Sequence, residues 1–244
     1  MRVAEPVDGS AGPDLGTVLG VWAHPDDEAY LSAGLMALAR RAGHRVVVVT
    51  ATAGEQGTSD PPLTPEELAH IRRRELQASL AALGVTEHHF LGYHDGRCAA
   101  LPNTEAIARL GELVAMVRPD TVVTFGPDGM TGHPDHRTVS TWATAAWRAA
   151  GRSGRLLYAT LTPAFHAAWG PVNDRLGVWM DGAQPPSTPT DKLALALELD
   201  DDLLAAKNAA LRAQASQTAP LIAALGDETY RRWWSREYFV AAPG

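Results

Sequence analysis

Two short stretches of this chain hold residues able to do chemistry together. Ala23-His24-Pro25-Asp26-Asp27-Glu28 puts one imidazole and three carboxylates into six positions, and Gly132-His133-Pro134-Asp135-His136 adds two imidazoles and another carboxylate. Each follows an apolar run, residues 17–22 in the first case and 121–125 in the second. Pro25 cannot continue a strand's hydrogen-bond ladder, but its fixed φ suits the first turn of a helix. Both clusters are therefore expected at strand-to-helix junctions. The plainer alternative is that Asp26, Asp27 and Glu28 only cap a helix, at a few tenths to about 1 kcal/mol each, with His24 a satisfied core histidine. Capping does not explain a second His/Asp cluster at a second junction.

Together, His24, Asp27 and His136 would supply two imidazoles and one carboxylate, the ligand mix of a catalytic zinc site that leaves a position for water. Ferrous iron or another divalent ion uses a similar set, so ligand type leaves the metal open. Such an ion lowers the pKa of bound water to about 7 and polarises a carbonyl oxygen, which suits hydrolysis of an unactivated bond. Asp26, beside a ligand but free, is placed to take a proton from that water. His133 would face the developing oxyanion or protonate the leaving group. Asp135 would orient one of the histidines.

The elements that must position these residues follow from hydrophobic patterning. Residues 17–22, 45–51, 89–91, 121–125 and 155–159 read as strands, separated by helical stretches at about 29–41, 65–83, 103–117 and 135–148. Strands alternating with helices predict an α/β fold: a three-layer, Rossmann-like, doubly wound and mostly parallel sheet. In the order 3-2-1-4-5 the first and fourth strands are neighbours where the winding reverses, the crevice in which open α/β sheets bind ligands. The two clusters follow those two strands and should meet there. Residues 163–190 mix Pro, Gly and Trp and read as a long irregular C-terminal excursion of the functional kind. A sixth strand is expected within 193–199, then a helix capped by Asp200-Asp201-Asp202 and reaching about Gln214. Trp233, Trp234, Tyr238 and Phe239 are expected to pack onto the body.

With 244 residues the chain suits one α/β domain, taken as 17–244 behind a loose tail at 1–16. The net charge of -7, from 21 Lys+Arg against 28 Asp+Glu, argues against a nucleic-acid partner. No stretch approaches about 18 uninterrupted apolar residues, so no membrane span is expected. The first fifteen residues lack a cationic start and an apolar h-region, so no secretory signal is expected and the protein reads as cytoplasmic. The single cysteine, Cys98, excludes an internal disulfide framework and a cysteine-built zinc site.

The paired motifs resemble the signature of the PIG-L/LmbE family of zinc-dependent N-deacetylases. The resemblance extends to Thr52-Ala53-Gly54-Glu55, Ile71-Arg72-Arg73-Arg74-Glu75-Leu76, Leu83-Gly84-Val85 and Leu91-Gly92-Tyr93-His94-Asp95-Gly96, in family order, with a weaker echo at 207–217. It implies His24, Asp27 and His136 as metal ligands, Asp26 as general base, and His133 as oxyanion stabiliser or acid. It also implies Glu55, Arg72 and Asp95 on the walls of a sugar pocket. Two positions depart from the pattern: Thr131 stands where some relatives have tyrosine, and Gln214 where many have histidine.

The expected activity is hydrolytic removal of an N-acyl group, in the first instance acetyl, from an amino sugar conjugate. The ion would be Zn2+, with Fe2+ or another divalent metal as alternatives, and the chain would be a possible homo-oligomer. Within the same chemistry the rival is an amidase of a thiol conjugate or an antibiotic intermediate. The rival from another class is a catalytically inactive α/β binding module. Nucleotide binding is disfavoured, because neither G-x-G-x-x-G after the first strand nor G-x-x-x-x-G-K-[ST] occurs.

Overall fold

A computed structural model describes residues 13–58 and 61–243. Its centre is a seven-stranded sheet. Five strands, β1 (Val18–Trp22), β2 (Val46–Thr52), β3 (Glu87–Tyr93), β4 (Thr121–Phe125) and β5 (Arg155–Thr160), run parallel in the order β3-β2-β1-β4-β5. Every residue of β1, β2 and β4 is buried. Strands covered on both faces by helices read as continuous apolar runs rather than alternating ones. This explains why the valine-rich stretches could be recognised.

Four helices alternate with these strands: α1 (Asp27–Arg41), α2 (Pro65–Ala82), α3 (Asn103–Val117) and α4 (Pro134–Ala149). The start of α2 is fixed by a reciprocal cap. Thr64 Oγ1 accepts the Glu67 N–H, and the Glu67 carboxylate accepts the Thr64 N–H at 2.9 Å. Asn103, expected to cap α3, is instead its first residue, and its Oδ1 accepts the Trp142 indole N–H at 2.6 Å. α1 and α2 pack with α6 (Asp201–Ala213) on one face of the sheet, while α3 packs with α4.

The C-terminal third departs most from expectation. Residues 163–190 are not irregular throughout: Pro163–Leu176 forms α5, capped by Thr162 Oγ1 accepting the Phe165 N–H. Pro171 sits inside this helix, exposed. Only the segment beyond Gly177 is irregular, and it returns to the site through the Met180 N–H, which bonds the Thr131 carbonyl. β6 (Leu195–Glu198) lies at the sheet edge. β7 (Arg236–Ala241), unexpected from the sequence, inserts between β5 and β6 and is antiparallel to both. α7 (Ala215–Leu225) and α8 (Asp227–Trp233) were likewise not expected.

Of the expected N-terminal tail, residues 1–12 lie outside the described residues. Leu15 is buried in the core, and its carbonyl accepts the Thr121 hydroxyl at 2.7 Å.

Candidate metal centre and active site

β1 and β4 are adjacent, and the loops leaving their carboxyl ends bring the two clusters into one cavity of about 460 Å³. His24, Asp26, Asp27, Arg72, Asp95, His133 and His136 all line it. Asp135 lies beneath, fully buried. Glu55 sits off the cavity wall, in the neighbouring cleft, where its Oε1 accepts the Asp95 N–H at 3.0 Å. It supports Asp95 rather than lining the cavity.

A hydrogen bond fixes the His136 tautomer, and close carboxylates set that of His24. His136 Nδ1 lies 3.0 Å from the Gly129 carbonyl, which only accepts, so Nδ1 carries the hydrogen and Nε2 presents a lone pair. His24 Nε2 faces Asp95 Oδ1 at 2.9 Å and Asp135 Oδ2 at 3.5 Å, so that nitrogen holds a hydrogen. The inward atoms, His24 Nδ1 and His136 Nε2, are 3.1 Å apart. Asp27 completes the triangle, with Oδ1 3.3 Å from His136 Nε2 and Oδ2 3.7 Å from His24 Nδ1. Ligands about 2.0–2.1 Å from a tetrahedral zinc ion stand about 3.3–3.4 Å from one another. The His24 Nδ1–His136 Nε2 and His136 Nε2–Asp27 Oδ1 distances lie near that spacing, while Asp27 Oδ2 accepts the His24 N–H at 2.8 Å.

Two further trios bring potential ligand atoms within 4.8 Å of one another, His24/His133/His136 and His24/Asp95/Asp135. The second has its oxygens largely committed. Asp135 accepts the N–H groups of Gly96 (2.7 Å) and Cys98 (3.1 Å), and Asp95 Oδ2 accepts the Gln56 N–H (3.0 Å). What remains faces His24 Nε2, the arrangement of carboxylates that orient a ligating histidine from behind. In the first trio, His133 Nδ1 accepts the Asp135 N–H at 3.2 Å, which leaves its Nε2 as a donor.

The inward-facing set demands a positive charge. Burial opposes protonation of His24, but Asp135, Asp95 and Asp27 outweigh it and push the imidazole up to about 10. His136 goes the other way, held well below the usual histidine range by burial and by His24 and His133. A divalent ion bound between the two rings would displace protons from their inward nitrogens.

Asp26 is built differently from its neighbours. It is the N-cap residue of α1, yet its side chain makes no cap hydrogen bond and its φ is 103°, a conformation costly for a side chain other than glycine. The capping alternative therefore fails for it. Its N–H is held by Glu28 Oε2 at 3.0 Å, and its carboxylate by Arg72 Nη2 at 3.0 Å. Burial pushes Asp26 up to about 7, with Arg72 opposing and Asp27 adding.

Arg72 is not a solvated arginine of an exposed helix face. It is 4% exposed and also donates to the carbonyls of Gly54 (2.8 Å) and Pro25. A Cβ at Gly54, whose φ is +68°, would collide with the guanidinium, so glycine is required for this approach.

Sequence reasoning missed the support beneath Asp26. Glu28, fully buried, accepts the Ser79 hydroxyl at 3.0 Å and the Gln214 amide at 2.9 Å through Oε1. Gln214, singled out as a departure, thus reaches the clamp on the Asp26 backbone. Burial, with Asp26 adding, pushes Glu28 up to about 8. Its side chain showed in the sequence only as a third acid in a row.

With this geometry established, comparison with known proteins gives consistent matches. The family model described as PIG-L, GlcNAc-PI de-N-acetylase, matches residues 19–147. A 1D-myo-inositol 2-acetamido-2-deoxy-alpha-D-glucopyranoside deacetylase of Kineococcus radiotolerans is 41% identical over 148 residues, covering 49% of this chain but only 41% of the relative's length. A protein of the same name from Salinispora arenicola is 34% identical over 238 residues, covering 84% of this chain and 77% of the relative. Among solved structures, the N,N'-diacetylchitobiose deacetylase of Pyrococcus horikoshii superposes with a TM-score of 0.62 at 25% identity. That match covers 94% of this chain and 85% of the other.

Proposed function

The chain belongs to the PIG-L family, and on that premise we propose that it is a hydrolase removing an N-acyl group, acetyl in the first instance, from an amino sugar conjugate. The observation that carries the reading is the juxtaposition of His24 Nδ1, His136 Nε2 and Asp27 Oδ1, with the two nitrogens 3.1 Å apart and Oδ1 3.3 Å from His136 Nε2, which suits one divalent cation. Zn2+ fits these donors, and Fe2+ or another divalent ion shares the preference. Bound there, the ion would lower the pKa of water and polarise the acyl carbonyl.

The remaining work falls to side chains. Asp26 lies next to a ligand, is held by Arg72 and is raised toward neutrality, which suits a group that first takes and then returns a proton. In this reading it removes a proton from the attacking water and delivers it to the departing sugar nitrogen. His133, pushed below the usual histidine range by burial and by His24 and accepting the Asp135 N–H at Nδ1, would donate from Nε2 to the acyl oxygen as negative charge develops there. Asp95 and Asp135 keep His24 in the tautomer that turns its lone pair inward. The 2-acetamido glucoside named for the relatives is the first substrate to try.

The test is release of primary amine from a panel of N-acetylated amino sugars and thiol-conjugate amides, with and without chelator. Amine should appear from the sugars, vanish with chelator and return on adding Zn2+. Asp26→Asn should retain stoichiometric cation and lose roughly 10²–10⁴-fold in kcat. Chelator-resistant turnover, or an Asp26→Asn enzyme of near-normal rate, contradicts the assignment. Release from the thiol conjugates alone would favour the amidase reading.

A further inference from the structure

The cavity lining has two unlike parts. At the closed end His24, Asp27 and His136 are buried, and polar groups converge. Another part of the lining is apolar: Leu31 from α1, one turn beyond Asp27, Leu176 and Val178 around the end of α5, Leu221 from α7, and Trp233 and Trp234 at the end of α8. Leu176, Val178 and Leu221 are only half-buried, so this wall reaches the entrance, which it shares with the exposed Gln56 and Gly96.

The apolar side is also held in place. Trp233 donates its indole N–H to the buried Asn173 at 2.9 Å, and its ring centroid is 5.4 Å from that of Trp234. Trp234 in turn packs against Tyr30 at 5.6 Å and Phe165 at 5.1 Å. The hydroxyl of Tyr30, which lines the same side, is committed to Tyr230 at 3.0 Å. Gln217, the polar side chain beside Leu221 in the lining, donates to the Thr58 carbonyl and Ser216. Among the described residues of this wall, the Trp234 indole N–H is the one buried polar group without a partner; a polyol would lose water from several hydroxyls against that single donor, which costs affinity. An alkyl or aryl group would gain by burial.

Resting on the deacetylase reading above, we infer that this rim is a subsite for an apolar aglycone, so that the preferred substrate is an alkyl or aryl glycoside of the N-acetylated amino sugar. The amide must reach the closed end to be cleaved. The part of the substrate left at the half-exposed entrance is then the group on the far side of the sugar.

The experiment compares kcat/KM for amine release from the methyl, hexyl, phenyl and inositol glycosides of N-acetylglucosamine, each as both anomers. It adds the methyl glycoside carrying an N-hexanoyl group. Hexyl and phenyl glycosides should exceed methyl and inositol glycosides on the order of tenfold or more, the scale of a few methylenes in an apolar pocket. Leu221→Gln, on a half-buried helix face, and separately Val178→Thr should each shrink the hexyl-to-methyl ratio severalfold. That ratio is taken within one preparation, so an inactive fraction cancels. Equal kcat/KM across the glycosides, or a preference for inositol, overturns the subsite while leaving the deacetylase reading intact. A gain confined to the N-hexanoyl substrate also overturns it, because the apolar side would then serve the acyl chain. Absence of amine release from every glycoside defeats the deacetylase reading and the subsite with it.

Discussion

The floor and the rim of one cavity are built by opposite means. The floor hangs from the carboxyl ends of β1 and β4, and backbone groups of the loops around it hold its side chains: the Gly129 carbonyl for His136, the Gly96 and Cys98 N–H groups for Asp135, the His24 N–H for Asp27. The rim is assembled from α1 and from elements that follow β5, and rests on aromatic packing and long-range contacts. If the central sheet alone fixes the chemistry, the floor should tolerate change in the cover, and the cover would set selectivity.

The strongest test of that independence lies where the two regions are joined. Glu237 of β7 and Lys207 of α6 form an ion pair at 2.7 Å, each side chain 1% exposed. The pair intrudes on α1: Glu237 accepts the N–H groups of Gly34 and Leu35, and Lys207 donates to the Tyr30 carbonyl. Removing one partner of a buried pair costs about 3–5 kcal/mol, because the other charge is left uncompensated. Lys207→Met should therefore lower the free energy of urea unfolding by about that amount. Lys207→Met combined with Glu237→Gln should recover part of it. If floor and rim are independent, the folded Lys207→Met protein still binds one cation per chain. Loss of the cation in protein that remains folded would show that the floor depends on the cover.

How much was legible in the sequence divides along the same line. The five parallel strands and the meeting of the two clusters followed from buried β-branched runs and from proline after strand ends, signals carried by a few neighbouring residues. The tail of the chain gave weaker signals. In β7 the inward positions are Glu237 and Phe239, so a charge stands where alternation calls for an apolar residue, and its partner Lys207 lies thirty positions away. In α5 and α7, Pro171 and Pro220 occupy helical positions, although proline ordinarily breaks a helix interior. Glu28 and Gln214 were unreadable for a related reason: their contact spans 186 positions, and neither residue type announces it.

Asp95 separates two ways in which the floor works. Its Oδ1 lies 2.9 Å from His24 Nε2, yet the residue also lines the cavity where a sugar would sit. As an orienting carboxylate behind a ligand, it should cost about 10–100-fold in cation affinity or activity when changed to Asn. As a sugar contact it would raise KM and leave cation affinity alone. Titrating cation into Asp95→Asn while measuring KM decides between them, and the geometry favours the first. A pure KM effect would move Asp95 from the floor to the substrate side.

The smallest expected effect concerns Thr131, at the edge between the regions. Its hydroxyl lies 3.3 Å from His136 Nδ1, in competition with the Gly129 carbonyl at 3.0 Å, and its own carbonyl accepts the Met180 N–H from the segment after α5. The Gly129 carbonyl is the shorter partner and can only accept, so it suffices to fix the tautomer. Thr131→Val keeps the side chain's shape and the backbone link to Met180. It should therefore cost no more than about 1 kcal/mol, the net value of one neutral hydrogen bond, or about fivefold in kcat/KM, with cation affinity unchanged. A loss of a hundredfold confined to kcat would mean that the Thr131 hydroxyl reaches the reacting acyl oxygen. The floor would then extend one residue further toward the rim than the hydrogen bonds alone require.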